Sequence, residues 1–133
     1  MASDPGDLDP AALARAEAAL AALSDRYLEW AEADLARMEA CLSEILAHPD
    51  QQGQRLPQLF TIIHDMKGQG ETFGYPLVSL LGNALCRLLE TSPKSGSSGM
   101  ERAIALASAM GRVIRERLSG DGGESGRQLK ALL

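Results

Sequence analysis

Aromatic side chains make up only 4% of this 133-residue chain, so the core must be aliphatic. β-branched residues are few as well, and no stretch of useful length alternates apolar and polar residues. Both absences count against a sheet, while abundant alanine and leucine favour helices. No basic tract is present and the net charge is −5, which argues against nucleic acid as a partner. Arg112, Arg115 and Arg117 fall near the end of an expected helix. There they complement its dipole and solvate its face. Only two cysteines occur, Cys41 and Cys86, far apart and without metal-ligand spacing, so buried free thiols are expected. The chain opens without a basic segment followed by an apolar one. No apolar run reaches the ~20 residues of a membrane span. A soluble cytoplasmic protein, not associated with a membrane, is the expectation.

What is present is helical periodicity. Hydrophobic residues reach 45% of the chain, enough for one domain with a real core. Residues 1–8 read as a disordered start. Asp9-Pro10 reads as an N-cap with proline at the first helical position. A short first helix follows through Leu13, Leu20 and Leu23, and Ser24-Asp25 offers a break. A second helix is expected from Asp25 to Ala47, because Leu28, Ala31, Leu35, Met38, Leu42 and Ile45 recur three and four residues apart. His48-Pro49 ends it.

After a polar loop over 49–55, Pro57 is expected in the first turn of a third helix. Its seam is Leu56, Leu59, Ile63, Met66 and Gly70, with Gly74 as the stop. The fourth helix carries Leu77, Leu81, Ala84, Leu85 and Leu88 inward. Residues 91–97 form a loop by composition. Ser98 and Glu101 have capping-box spacing and open a last helix with Ile104, Ala107, Met110, Ile114 and Leu118 on one face. Residues 119–133 are expected to be a flexible tail, with enough apolar content near its end for a short helix. The pattern predicts an all-α fold, most simply an up-and-down antiparallel four-helix bundle with an additional short N-terminal helix.

Within the third helix, His64 follows Ile63 and so is rotated about 100° off the buried seam, toward the rim. Phe60, Thr61, Lys67 and Gly68 are its neighbours on the helix surface. A histidine that accepts a phosphoryl group needs a cation beside it and room in front of the ring. Lys67 can offset the charge of a phosphoryl group in transfer. Gly68 removes side-chain bulk one turn along. A glycine inside a helix costs about 1 kcal/mol relative to alanine, and Gly70 repeats that cost. Two such glycines imply close approach, by a partner at Gly68 and by a packed helix at Gly70. Glu44 and His48 stand four residues apart but lack a second such pair, so no metal site is assigned.

The segment His64, Met66, Lys67, Gly68, Gly70, Phe73 and Gly74, followed by the leucine-rich stretch Leu77 to Glu90, resembles the histidine-containing phosphotransfer (HPt) family. Tyr27 to Leu35, with Met38 and Leu42, looks like the preceding helix in that family. The resemblance spans about residues 24–118 and sets a bundle domain over 9–118. It implies a phosphorelay intermediate of two-component signalling, passing a phosphoryl group between its histidine and receiver-domain aspartates. His64 is then the phosphoacceptor, Lys67 its electrostatic support and Gly68 the clearance residue. Phe73 and Gly74 shape the turn beneath.

Receiver docking is expected over Gly68, Glu71, Thr72, Tyr75, Asn83 and Arg87. The implied partners are response-regulator receiver domains and a hybrid or separate histidine kinase. The chain has no cofactor of its own, since the receiver supplies Mg²⁺, and it is expected to be a monomer. No ATP-binding kinase segment is recognised, so autokinase activity is not expected. Gln69 and Gly70 depart from the small residues common at those positions in the family, and Glu71 adds a carboxylate two turns from His64. The alternative is a non-catalytic helical adaptor that binds a receiver or another signalling protein.

Overall fold

The computed structural model describes residues 9–133; residues 1–8, expected to be disordered, lie outside them. Five α-helices and one short 3₁₀ turn account for the regular structure, and no strand occurs among the described residues. The helices are α1 (Pro10–Ala47), α2 (Gln52–Gly70), α3 (Pro76–Glu90), α4 (Ser98–Arg115) and α5 (Gly123–Lys130). Helix α1 packs on α2 and α4, and α3 packs on α2 and α4, so these four close around one core. No helix of the described residues is long and apolar enough to cross a membrane.

The expected short N-terminal helix is not a separate element. Helix α1 runs unbroken for 38 residues, about 57 Å, straight through Ser24 and Asp25. Eight alanines between Ala11 and Ala22 give strong helix propensity, and no glycine or proline forces a break. Serine and aspartate in a helix interior cost only tenths of a kcal/mol, too little to interrupt such a run. Asp9 caps the start by accepting from the Ala11 N–H, with Pro10 in the first turn. Burial in α1 begins only at Tyr27, and Leu28, Ala31, Leu35, Met38, Leu42 and Ile45 form the expected seam. The additional short helix lies instead at the other end of the chain.

Two further boundaries differ from expectation. Helix α2 begins at Gln52, directly after the 3₁₀ turn Pro49–Gln51, which places Pro57 inside the helix rather than in its first turn. The missing proline N–H leaves the Gly53 carbonyl without its helical donor. Gly53 is exposed, so water can take that role. Helix α4 is capped by Ser97, one residue before the expected Ser98. The Ser97 hydroxyl accepts from the Met100 N–H at 3.2 Å. Ser98 already has its place in the first turn, so its pairing with Glu101 is not the cap.

The tail is held against the body. The Gly120 N–H donates to the Gly74 carbonyl at 2.9 Å, α5 rests on α3, and Leu129 is buried. The short helix expected near the C-terminus is therefore docked rather than free.

Candidate functional site

Helix α2 buries Leu56, Leu59, Ile63, Met66 and Gly70 on one face. That fixes the rotation of the helix and turns His64 outward, where its side chain is 59% exposed. The ring stacks on Phe60, one turn earlier, with centroids 6.0 Å apart. Nδ1 lies 4.0 Å from an oxygen of the Asp65 carboxylate, which is itself 67% exposed. Asp34 of α1 joins His64, Asp65, Gly68 and Gln69 around a shallow depression of about 330 Å³.

Of the three glycines of α2, Gly68 and Gly70 have opposite surroundings. A Cβ built at Gly68 would meet nothing within 4 Å beyond its chain neighbours and its own helix backbone, so the surface beside His64 is open. A Cβ at Gly70 would sit 2.9 Å from both the Tyr75 carbonyl oxygen and the Val78 Cβ, so α3 is packed directly against it. Beyond Gly70 the chain turns through Glu71 to Gly74. Gly74 takes φ +89°, a left-handed conformation that glycine adopts without strain. Proline at the first position of α3 then restarts the helix.

This turn is cross-braced from both sides. The Ser79 hydroxyl donates to the Lys67 carbonyl at 2.6 Å and accepts from the Glu71 N–H at 3.0 Å. One buried side chain therefore satisfies a carbonyl in the last turn of α2 and an amide just past its end. The Tyr75 N–H donates to the Gly70 carbonyl at 2.8 Å. Below the turn, Tyr27 of α1 stacks between Phe73 and Tyr75, with centroid distances of 5.1 and 5.3 Å. Burial pushes the Tyr27 hydroxyl up to about 12, with smaller contributions from Tyr75 and Asp34.

Lys67 is half-buried and reaches toward α3, where its ammonium donates to the Asn83 Oδ1 at 2.8 Å. Gly82 makes that approach possible, since a Cβ there would lie 2.8 Å from the Lys67 Cβ. Cys86, one turn past Gly82, is a buried free thiol. Burial raises its pKa, Lys67 opposes that rise and Glu90 adds to it. Cys41 is half-buried and free; burial raises it too, against the pull of Arg55. Neither thiol is activated as a nucleophile.

Of the residues expected to meet a receiver, Gly68, Glu71, Thr72, Asn83 and Arg87 are exposed. Tyr75 is not. It is 4% exposed because its ring fills the space beside Tyr27, which removes it from any docking surface. Asn83 is exposed but engaged with Lys67. At the other end of α2, Glu44 stands between His48 at 3.8 Å and Arg55 at 3.5 Å.

Three residues of the site had no counterpart in the sequence reading. Asp34 comes from a different helix, and nothing local in the sequence brings it to His64. Ser79 sits in an apolar run of α3, where a lone serine marks a polar task. Gly82, inside the same helix, carried the signal used for Gly70, a glycine where alanine is favoured.

Compared with protein-family models, curated proteins and solved structures, the chain matches none.

Proposed function

We propose that the chain is a histidine phosphotransfer protein, a phosphorelay intermediate whose phosphoacceptor is His64. In this reading α1 to α4 form an antiparallel up-and-down bundle of the HPt kind, and receiver domains dock over the outward face of α2 and α3. The observation that carries the proposal is the surface around His64. An exposed imidazole stands on helix α2, three residues before Lys67 and one turn before a glycine whose missing side chain leaves open space.

The chemistry is a direct displacement. A ring nitrogen of His64 attacks the phosphorus of an aspartyl phosphate on the receiver. The N–P bond forms as the P–O bond to the carboxylate breaks, and the carboxylate leaves with the electron pair. The other ring nitrogen keeps its proton through the attack and can release it to water afterwards. Lys67 lies close enough in sequence to offset charge on the transferred oxygens. Gly68 lets the receiver's loops approach the ring.

Among the described residues, no three His, Cys, Asp or Glu side chains converge as metal ligands. The proposal assigns Mg²⁺ to the receiver, where it would neutralise phosphoryl oxygens. This chain contributes a nucleophile, a cation and an accessible surface.

The test is transfer of label. Receiver domains phosphorylated on aspartate are mixed with the protein and Mg²⁺, and label is followed onto wild type and onto His64→Gln. Acid-labile label on wild type alone is expected. A receiver that binds both proteins equally and labels neither would replace this reading with the adaptor.

A further inference from the structure

Lysine has one of the most mobile side chains. Lys67 is held at both of its ends. Gly82 admits the Lys67 stem at the α3 backbone, where a Cβ would come within 2.8 Å of the Lys67 Cβ. One residue on, Asn83 accepts from the ammonium at 2.8 Å. The acceptor is a neutral amide. A carboxylate at that position would hold the ammonium equally well and cancel its charge. An amide holds it and leaves the charge whole.

We propose that Asn83 is a positioning residue for phosphoryl transfer: with Gly82 it anchors Lys67 while leaving the lysine its full positive charge about one helical turn from His64. This rests on the phosphotransfer reading of His64. It moves Asn83 from the receiver-docking surface to the support of the site, and it makes a specific demand on chemistry at position 83. The residue must accept a hydrogen bond and must not carry negative charge.

A small phosphodonor tests this without a protein partner. With phosphoramidate, a ring nitrogen of His64 attacks phosphorus, the N–P bond to the imidazole forms, the P–N bond to the donor nitrogen breaks, and ammonia leaves. The rate of phosphohistidine formation is measured for wild type, Asn83→Ala and Asn83→Asp, and for the same three in a Lys67→Ala background. Asn83 is exposed, so both substitutions should leave the fold intact, which circular dichroism checks.

Asn83→Asp is expected to slow phosphorylation about fivefold, the scale of one charge contact in a solvent-exposed site. Asn83→Ala should slow it less, because the cation is freed but not neutralised. Without Lys67 the three proteins should react at the same rate, since the effect runs through the lysine. Equal rates for the three Lys67-containing proteins would overturn the proposal. So would an Asn83→Asp defect that persists without Lys67. If wild type takes label neither from phosphoramidate nor from any phosphorylated receiver, the phosphotransfer reading falls and this proposal with it. Labelled wild type with indifferent Asn83 variants removes this proposal alone.

Discussion

At the scale of single residues, His64 is defined by what its neighbours leave undone. Phe60 supports one part of the ring and Asp65 faces Nδ1, yet the side chain stays mostly in solvent. A buried histidine could be explained by packing, and an exposed one beside a bulky neighbour by solvation. Neither accounts for a glycine at position 68, where alanine would fit freely and favour the helix. On the proposed phosphotransfer reading, that gap gives a receiver steric access to the ring. Gly68→Gln is therefore expected to keep the helical circular dichroism signal while abolishing transfer from a receiver. Labelling by phosphoramidate should persist, because a small donor does not need the clearance. Undiminished transfer from a receiver to Gly68→Gln would show that the gap has another purpose.

At the scale of elements, helix α2 does two jobs with one register. Its inner face is the seam of Leu56, Leu59, Ile63 and Met66 ending at Gly70, and its outer face carries the site. Gly68 and Gly70 are two residues apart, and the same substitution should act on them with opposite sign. Gly68→Ala gains helix propensity in open space and should stabilise the fold by up to about 1 kcal/mol. Gly70→Ala places a methyl group 2.9 Å from a carbonyl oxygen and from the Val78 Cβ, and should cost about 1–3 kcal/mol as α3 is pushed away. Urea unfolding of the two variants checks this. A Gly70→Ala protein as stable as wild type would mean that the α2–α3 contact has slack. Helix α1 also divides in two. Its second half supplies core residues, while Leu13, Leu20 and Leu23 of its first half remain exposed.

At the scale of the whole molecule, Tyr27 ties the long helix α1 to the turn after α2, and the site rests on that junction. Its raised pKa has a consequence for stability. Below pH 10 the hydroxyl is protonated in both folded and unfolded chains, and its contribution is fully present. As pH rises from about 10 toward about 12, the unfolded chain ionises while the folded one does not, so stability is lost. Tyr27→Phe should flatten part of the decline in urea midpoint between about pH 10 and about pH 12. An unchanged slope would mean that Tyr27 titrates normally in the folded protein.

Much of this architecture is legible in the sequence, because helical seams are local. The spacings of Leu28 to Ile45 and of Leu56 to Gly70 name the buried faces of α1 and α2, and burial of those faces places His64 outside. What the sequence hides is set by distant partners or by small energy differences. Tyr75 is buried because a tyrosine 48 positions earlier stacks on it. Asp34 reaches the site from another helix. Ser24 and Asp25 are favourable caps, but capping does not outweigh the propensity of the alanine run around them.

The central claim, that His64 carries the phosphoryl group, is tested most directly by locating the label. After transfer from a phosphorylated receiver, the protein is digested and the labelled peptide identified, with its stability measured in acid and in base. The account predicts one labelled position, His64, with label lost in acid and retained in base. Label on an aspartate, on a serine or on His48, or an equal yield from His64→Gln, would contradict it.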